Sequence, residues 1–162
     1  MKIVAFFDRV NNLDFEIVAK KVMFKHGWTI ERTQVAINRY KLFLYLKSVY
    51  PATGLVPTPE IDTVWHAHME VNLIQYIKDC YYLFGYILNH CSAIYDEQNR
   101  ASSLIHQRAF STTQALFEEF FGFNILDNIS LHAAACADIP IDTNPAGCAD
   151  LPIIPSTILG NW

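Results

Sequence analysis

The stretch Pro57–Cys91, PTPEIDTVWHAHMEVNLIQYIKDCYYLFGYILNHC, decides how this chain is read. Thr58-Pro59-Glu60 is a helix start: the threonine hydroxyl accepts an orphan backbone N–H, and proline suits the first helical position. Glu60 and Asp62 fall in the first turn, where negative charge meets the positive end of the helix dipole. Ile61, Val64/Trp65 and His68 follow one helical stripe; Asp62, Trp65/His66 and Met69 follow another. Asn72 with Gln75 three residues on has the form of a capping box. The pattern predicts a second helix from about Leu73 to Asn89, antiparallel to the first across a turn at Glu70–Asn72.

Spacing limits the chemistry. Asp62 and His66 are i, i+4 neighbours, so the carboxylate can orient the imidazole or share an ion with it. His66 and His68 are two apart, roughly 200° around a regular helix. Both bind one ion only if the helix ends or distorts near Ala67; otherwise one binds and the other packs. Across the turn, Tyr76, Asp79 and Cys80 lie at the depth of His66 and Asp62. On the hairpin alone, with a continuous second helix, His90 and Cys91 sit roughly 20 Å beyond Tyr76, near Pro59, unless a third helix brings them nearer.

The ordered set Ile61-Asp62-x-Val64-Trp65-His66-x-His68, Tyr76-x-x-Asp79-Cys80 and Phe84-Gly85-x-x-Leu88-x-His90 resembles the glycine-rich domain-containing protein-like family. The similarity runs from Trp28 to Gly122 and takes in Tyr40-x-x-Phe43-Leu44 and the closing Phe121-Gly122. It implies a helical fold, of the kind that small bacterial members consist of and plant members attach to other domains. The chain departs from that pattern in two ways. It has no glycine-rich region, and Asn89-His90-Cys91 stands where a paired histidine is expected.

Composition narrows the class. A chain of 162 residues, 52 % hydrophobic and 14 % aromatic, can bury a substantial core as one domain. The net charge is −4, but residues 123–162 hold four acids and no Lys or Arg, so the rest is electrically neutral. No basic patch supports nucleic-acid binding, and no apolar run approaches the ~20 residues of a membrane span. Ile3–Phe7 is too short for a signal peptide. The expectation is a cytoplasmic protein without nucleic-acid or membrane partners, its four cysteines being thiols or ligands rather than disulfides.

Along the chain, residues 1–10 read as an arm or the start of a helix. Residues 13–26 read as a helix with Leu13, Ile17, Val22/Met23 and Phe24 inward and Gly27 as its stop. Thr29 opens a helix to about Tyr50; Ile30, Ile37 and Leu44 recur every seven residues, and Leu42–Leu46 is apolar all round, which marks a central helix. Pro51–Pro59 is a loop. Asp96 with Asn99 opens a last helix that Gly122 ends, and Ser111–Thr113 can bond back to carbonyls within it. The fold class is therefore all-α: a compact bundle of about five helices over residues 1–122. An irregular tail, 123–162, packs on it or extends from it. The tail holds four of the seven prolines and repeats Cys-Ala-Asp-(Ile/Leu)-Pro at Cys136 and Cys148.

Two functions stay open. In the first, His66, His68, Asp62 and Cys80 hold zinc or iron, and Asp79 and Tyr76 handle protons in a metal-dependent enzyme whose substrate, like any protein or small-molecule partner, the sequence does not name. In the second, the bundle is a protein- or peptide-interaction module; Trp-His-x-His is structural, and the tail is a docked or modified segment. For each residue there is a packing alternative. Cys80 is then a small buried hydrophobe, Asp79 a solvated or helix-pairing charge, and Tyr76 a core ring with a bonded hydroxyl. His90 and Cys91, adjacent at a helix end, can bind metal; the alternative is a helix-end histidine meeting carbonyls. No Gly-x-Ser-x-Gly and no phosphate-cradling glycine loop is present.

Overall fold

In the computed structural model Thr58 caps a helix, its hydroxyl accepting the Ile61 N–H, and Pro59 is the first helical residue. The structure describes residues 3–92, 100–122, 125–126 and 136–137. Within them are six helices: α1 (Ile3–Val10), α2 (Glu16–His26), α3 (Ile30–Val49), α4 (Pro59–Val71), α5 (Leu73–Phe84) and α6 (Arg100–Phe121). The all-α class holds, with α1 as the helix beyond the five expected. Cys91–Ser92 and Cys136–Ala137 (β1 and β2) make a two-residue antiparallel pairing, with Cys91 opposite Ala137 and Ser92 opposite Cys136. The openings of α6 at Asp96 and Asn99, and nearly all of the tail, lie outside the described residues.

The chain builds these elements with ordinary local devices. Thr29 accepts the Arg32 N–H at the start of α3. Asn72 Oδ1 accepts the Gln75 N–H at the start of α5, but Gln75 does not reach back; its amide donates to Asp79 Oδ1 instead. Asn72 alone therefore links α4 to α5. α2 stops at Gly27 in the left-handed region, and α6 ends before Gly122 at positive φ. Thr112 and Thr113 bond back to the Arg108 and Ala109 carbonyls, as expected. Thr113 also accepts the Val56 N–H, which pins α6 to the loop before α4.

α3 is the central helix and packs against α1, α2, α4 and α6. Tyr40, Phe43, Leu44 and Leu46 are buried from it, and the Tyr40 and Phe43 rings lie against Trp65 of α4. Lys47 is buried too, its ammonium donating to the Thr53 carbonyl so that its stem packs apolar while the charge is capped. Ile30, the first of the seven-residue series, is exposed, whereas Ile37 and Leu44 are buried. On α2 the expected inward face is right at Val22 and, just before the helix, at Leu13, and wrong at Ile17 and Phe24. Phe15, Val18 and Val22 are buried, while Ile17 is exposed and Phe24 is 94 % exposed. The i, i+3, i+7 series from Phe15 fits the groove between α3 and α4 better than the looser series from Leu13.

Candidate metal centre

The second helix of the hairpin is shorter than its sequence suggests. α5 ends at Phe84, and Gly85 reverses the chain at φ 82°. Glycine takes that conformation without the steric cost other residues bear. The expected continuation to Asn89 is corrected: residues 86–90 turn back over α4 instead of running on. His90, expected roughly 20 Å from Tyr76, therefore comes to lie against Trp65, ring centroids 4.4 Å apart and nearly perpendicular.

Tyr76 holds this returning segment. Its hydroxyl accepts from Trp65 Nε1 at 2.9 Å and donates to the Leu88 carbonyl. Both rings are buried, as is Leu88. Burial pushes the Tyr76 hydroxyl well above its ordinary pKa, with the nearby Cys80 and Tyr40 groups adding to it. The same dry surroundings push the Cys80 thiol up to about 11.

His68 enters this core too. Its Nε2 lies 3.0 Å from Asp79 Oδ2 and its Nδ1 lies 3.2 Å from the Tyr40 hydroxyl. A carboxylate only accepts, so Nε2 carries a proton, and Nδ1 of the neutral ring then accepts from Tyr40. Asp79 takes a further bond from Gln75. One side chain each from α3 and α4 thus meets two from α5, in a network whose polar atoms match.

His66 points the other way. It is 36 % exposed at its side chain and lies 3.7 Å from Asp62 Oδ2, while the other oxygen of Asp62 is 2.9 Å from His90 Nε2. The rings of His66 and His90 approach to 4.4 Å. One donor atom from each of Asp62, His66 and His90 lies within 4.8 Å of the others, close enough for all three to hold one metal ion. The structure divides the residues singled out from sequence. Asp62 and His66 stand together, His90 joins them, and His68, Asp79, Tyr76 and Cys80 lie in the core behind. The i, i+4 argument found the first pair. That His90 joins Asp62 and His66 is not read from the sequence, because the turn at Gly85 falls within the helix expected there.

Asp62 and His66, with His90 buried behind them, line a cleft of about 200 Å³ between α2 and α4, walled by Lys21, Val22, Lys25 and His26 on one side and Thr63, Ala67 and Glu70 on the other. Glu70 Oε2 receives Lys21 at 3.0 Å and Lys25 at 3.2 Å. The Lys21 ammonium, with Lys25 beside it, holds the Glu70 carboxyl below the usual range.

A helical bundle with a His/Asp group able to take a metal is the class that fold and site define. Residues 18–79 match the sequence model of the glycine-rich domain-containing protein-like family. The match starts earlier and ends earlier than the similarity read from Trp28 to Gly122. It includes Asp62, His66, His68, Tyr76 and Asp79 and stops short of His90. The chain is also similar to glycine-rich domain-containing protein 2 of Arabidopsis thaliana, 34 % identical over 93 residues, which are 55 % of this chain and 11 % of that protein. The chain thus spans about a tenth of that relative's length. No solved structure matches. Among the described residues, no helix is long and apolar enough to cross a membrane.

Proposed function

We propose that Asp62, His66 and His90 bind one divalent transition-metal ion and present it to the α2–α4 cleft, making this a metal-dependent enzyme for a small substrate. The convergence of the three donors within 4.8 Å carries the reading. Three protein ligands with an open side are the arrangement of catalytic rather than structural metal sites. Two imidazoles and one carboxylate suit zinc or iron(II). His90 Nε2 and Asp62 Oδ1 are close enough to share a proton. A metal at this point takes the place of the hydrogen between them, the imidazole then carrying its one proton on Nδ1. Tyr76 then serves as a positioning residue, through the Leu88 carbonyl of the segment that carries His90, whereas Asp79 and His68 belong to the core behind the site.

A second reading has its own support. His68 is bonded entirely within the core, and Ile17 and Phe24 are exposed on α2. A bundle that binds a protein or peptide partner, with no metal, is consistent with both.

Elemental analysis of protein purified without an affinity metal separates the two. About one equivalent of zinc or iron, lost in His66→Ala and in His90→Ala but kept in His68→Ala, is the expected result. No metal in the wild type, and no thermal shift with zinc, iron(II) or manganese added, overturns the metal reading in favour of the module.

A further inference from the structure

Building on the metal reading above, we infer that the α2–α4 cleft takes a small organic anion. One end of it, a carboxylate, meets Lys21 and Lys25, and an oxygen at its other end ligates the metal. Both lysines line the same cleft as Asp62 and His66. Their ammonium groups already converge on one carboxylate oxygen, Glu70 Oε2, at 3.0 and 3.2 Å. The wall of the cleft is thus arranged around a carboxylate supplied by the chain itself.

Charge points the same way. Lys21 and Lys25 balance Glu70 and Asp62 across the cleft. A divalent ion on Asp62, His66 and His90 leaves it with two positive charges in excess. That excess draws an anion and repels a cationic ligand. Glu70 is an exposed partner, and ion pairs of that kind are weak. An incoming carboxylate therefore displaces or joins Glu70 at little cost, and gains a metal bond that Glu70 does not make. Size sets the class. A cleft of about 200 Å³ lies below the roughly 300–1,000 Å³ of pockets for drug-sized ligands, which suits a short-chain acid.

The test is calorimetric titration of the zinc-loaded full chain with succinate, with succinamide as the uncharged counterpart. Metal content is measured first. Succinate is expected to bind and succinamide not. Lys21→Gln combined with Lys25→Gln weakens succinate at least about tenfold while zinc content is unchanged. Lys20→Gln, whose partner is Glu16 outside the cleft, leaves binding as in the wild type. Glu70→Gln strengthens it severalfold, because the competing carboxylate is gone. That gain is a change of sign that structural damage does not imitate. Zinc-loaded protein that ignores succinate, or binds it equally in the double lysine variant, overturns this inference and leaves the metal reading standing. A chain that takes up no zinc at all overturns both.

Discussion

His66 and His68 are two residues apart on α4, yet one borders a cleft and the other is bonded on both nitrogens inside the core. The half-turn between them separates two kinds of site. Around His68, Tyr40, Asp79 and Gln75 match donor to acceptor, and the network ties three helices together. Around His66, two imidazoles and a carboxylate crowd one point on the rim of a cleft. Matched polar groups in a dry core fix a fold. Like donors gathered at an opening suit a ligand that is not part of the chain. Trp65, between the two histidines, serves both sites: it packs on Phe43 and His90 and donates to Tyr76.

The largest effect should come from the core histidine. His68→Ala leaves the Asp79 carboxylate buried with Gln75 as its remaining described partner. Removing one member of a buried charged or strongly polar pair costs about 3–5 kcal/mol. Urea unfolding is the measurement. A loss under about 1 kcal/mol, typical of surface sites, breaks the contrast between the two histidines.

Alkali comes next. Burial keeps the Cys80 thiol protonated up to about 11, against 9.0 for its ordinary value. The unfolded chain gives up that proton at lower pH, so the stabilisation is whole below about pH 9 and is lost as pH rises through 11. The loss is on the order of 2 kcal/mol. Tyr40 and Tyr76, also raised by burial, act in the same sense at higher pH. Unfolding curves between pH 8 and 11 should decline in the wild type and decline less in Cys80→Ala. Identical slopes would mean that the thiol is not in a dry site.

Tyr76→Phe sharpens the comparison because it touches both regions. It strips the Trp65 N–H and the Leu88 carbonyl of a partner, at a cost of about 1–3 kcal/mol. It also loosens the segment that carries His90, so metal affinity should fall about tenfold in protein that remains folded. Unchanged affinity would show that residues 86–90 hold His90 without the hydroxyl. The smallest stability effect belongs to His66→Ala, within about 0.5 kcal/mol of wild type, since a partly exposed side chain on the cleft rim is removed. Its metal content, by contrast, should drop to background. A large destabilisation there would make His66 a structural residue like its neighbour.

Much of this was legible in the sequence, because local devices are written in adjacent residues. Thr29, Thr58 and Asn72 cap where they are expected to, Gly27 and Gly122 stop helices, and Asp62 and His66 share a face. The 200° argument already said that His66 and His68 cannot serve one ion on a regular helix, and the helix is unbroken at Ala67. Other features were misread because the signal is ambiguous locally. Ile17 and Phe24 look inward by hydrophobicity alone. Only the presence of α3 and α4 on the Phe15–Val18–Val22 side decides which stripe is buried.

What the sequence by itself determined is a helical bundle before residue 123, a Trp-His-x-His helix and an acid–histidine pair one turn apart. These depend on periodicity and caps, which act over a few residues. What only the tertiary structure decided is which residues complete each pair. His90 reaches Asp62 from 28 positions away because Gly85 turns the chain and Tyr76 holds it. His68 finds Asp79 on one side and Tyr40 on the other because α3 and α5 flank α4. Contacts of that range follow from how helices pack, and packing depends on the sum of many side chains rather than on any one motif.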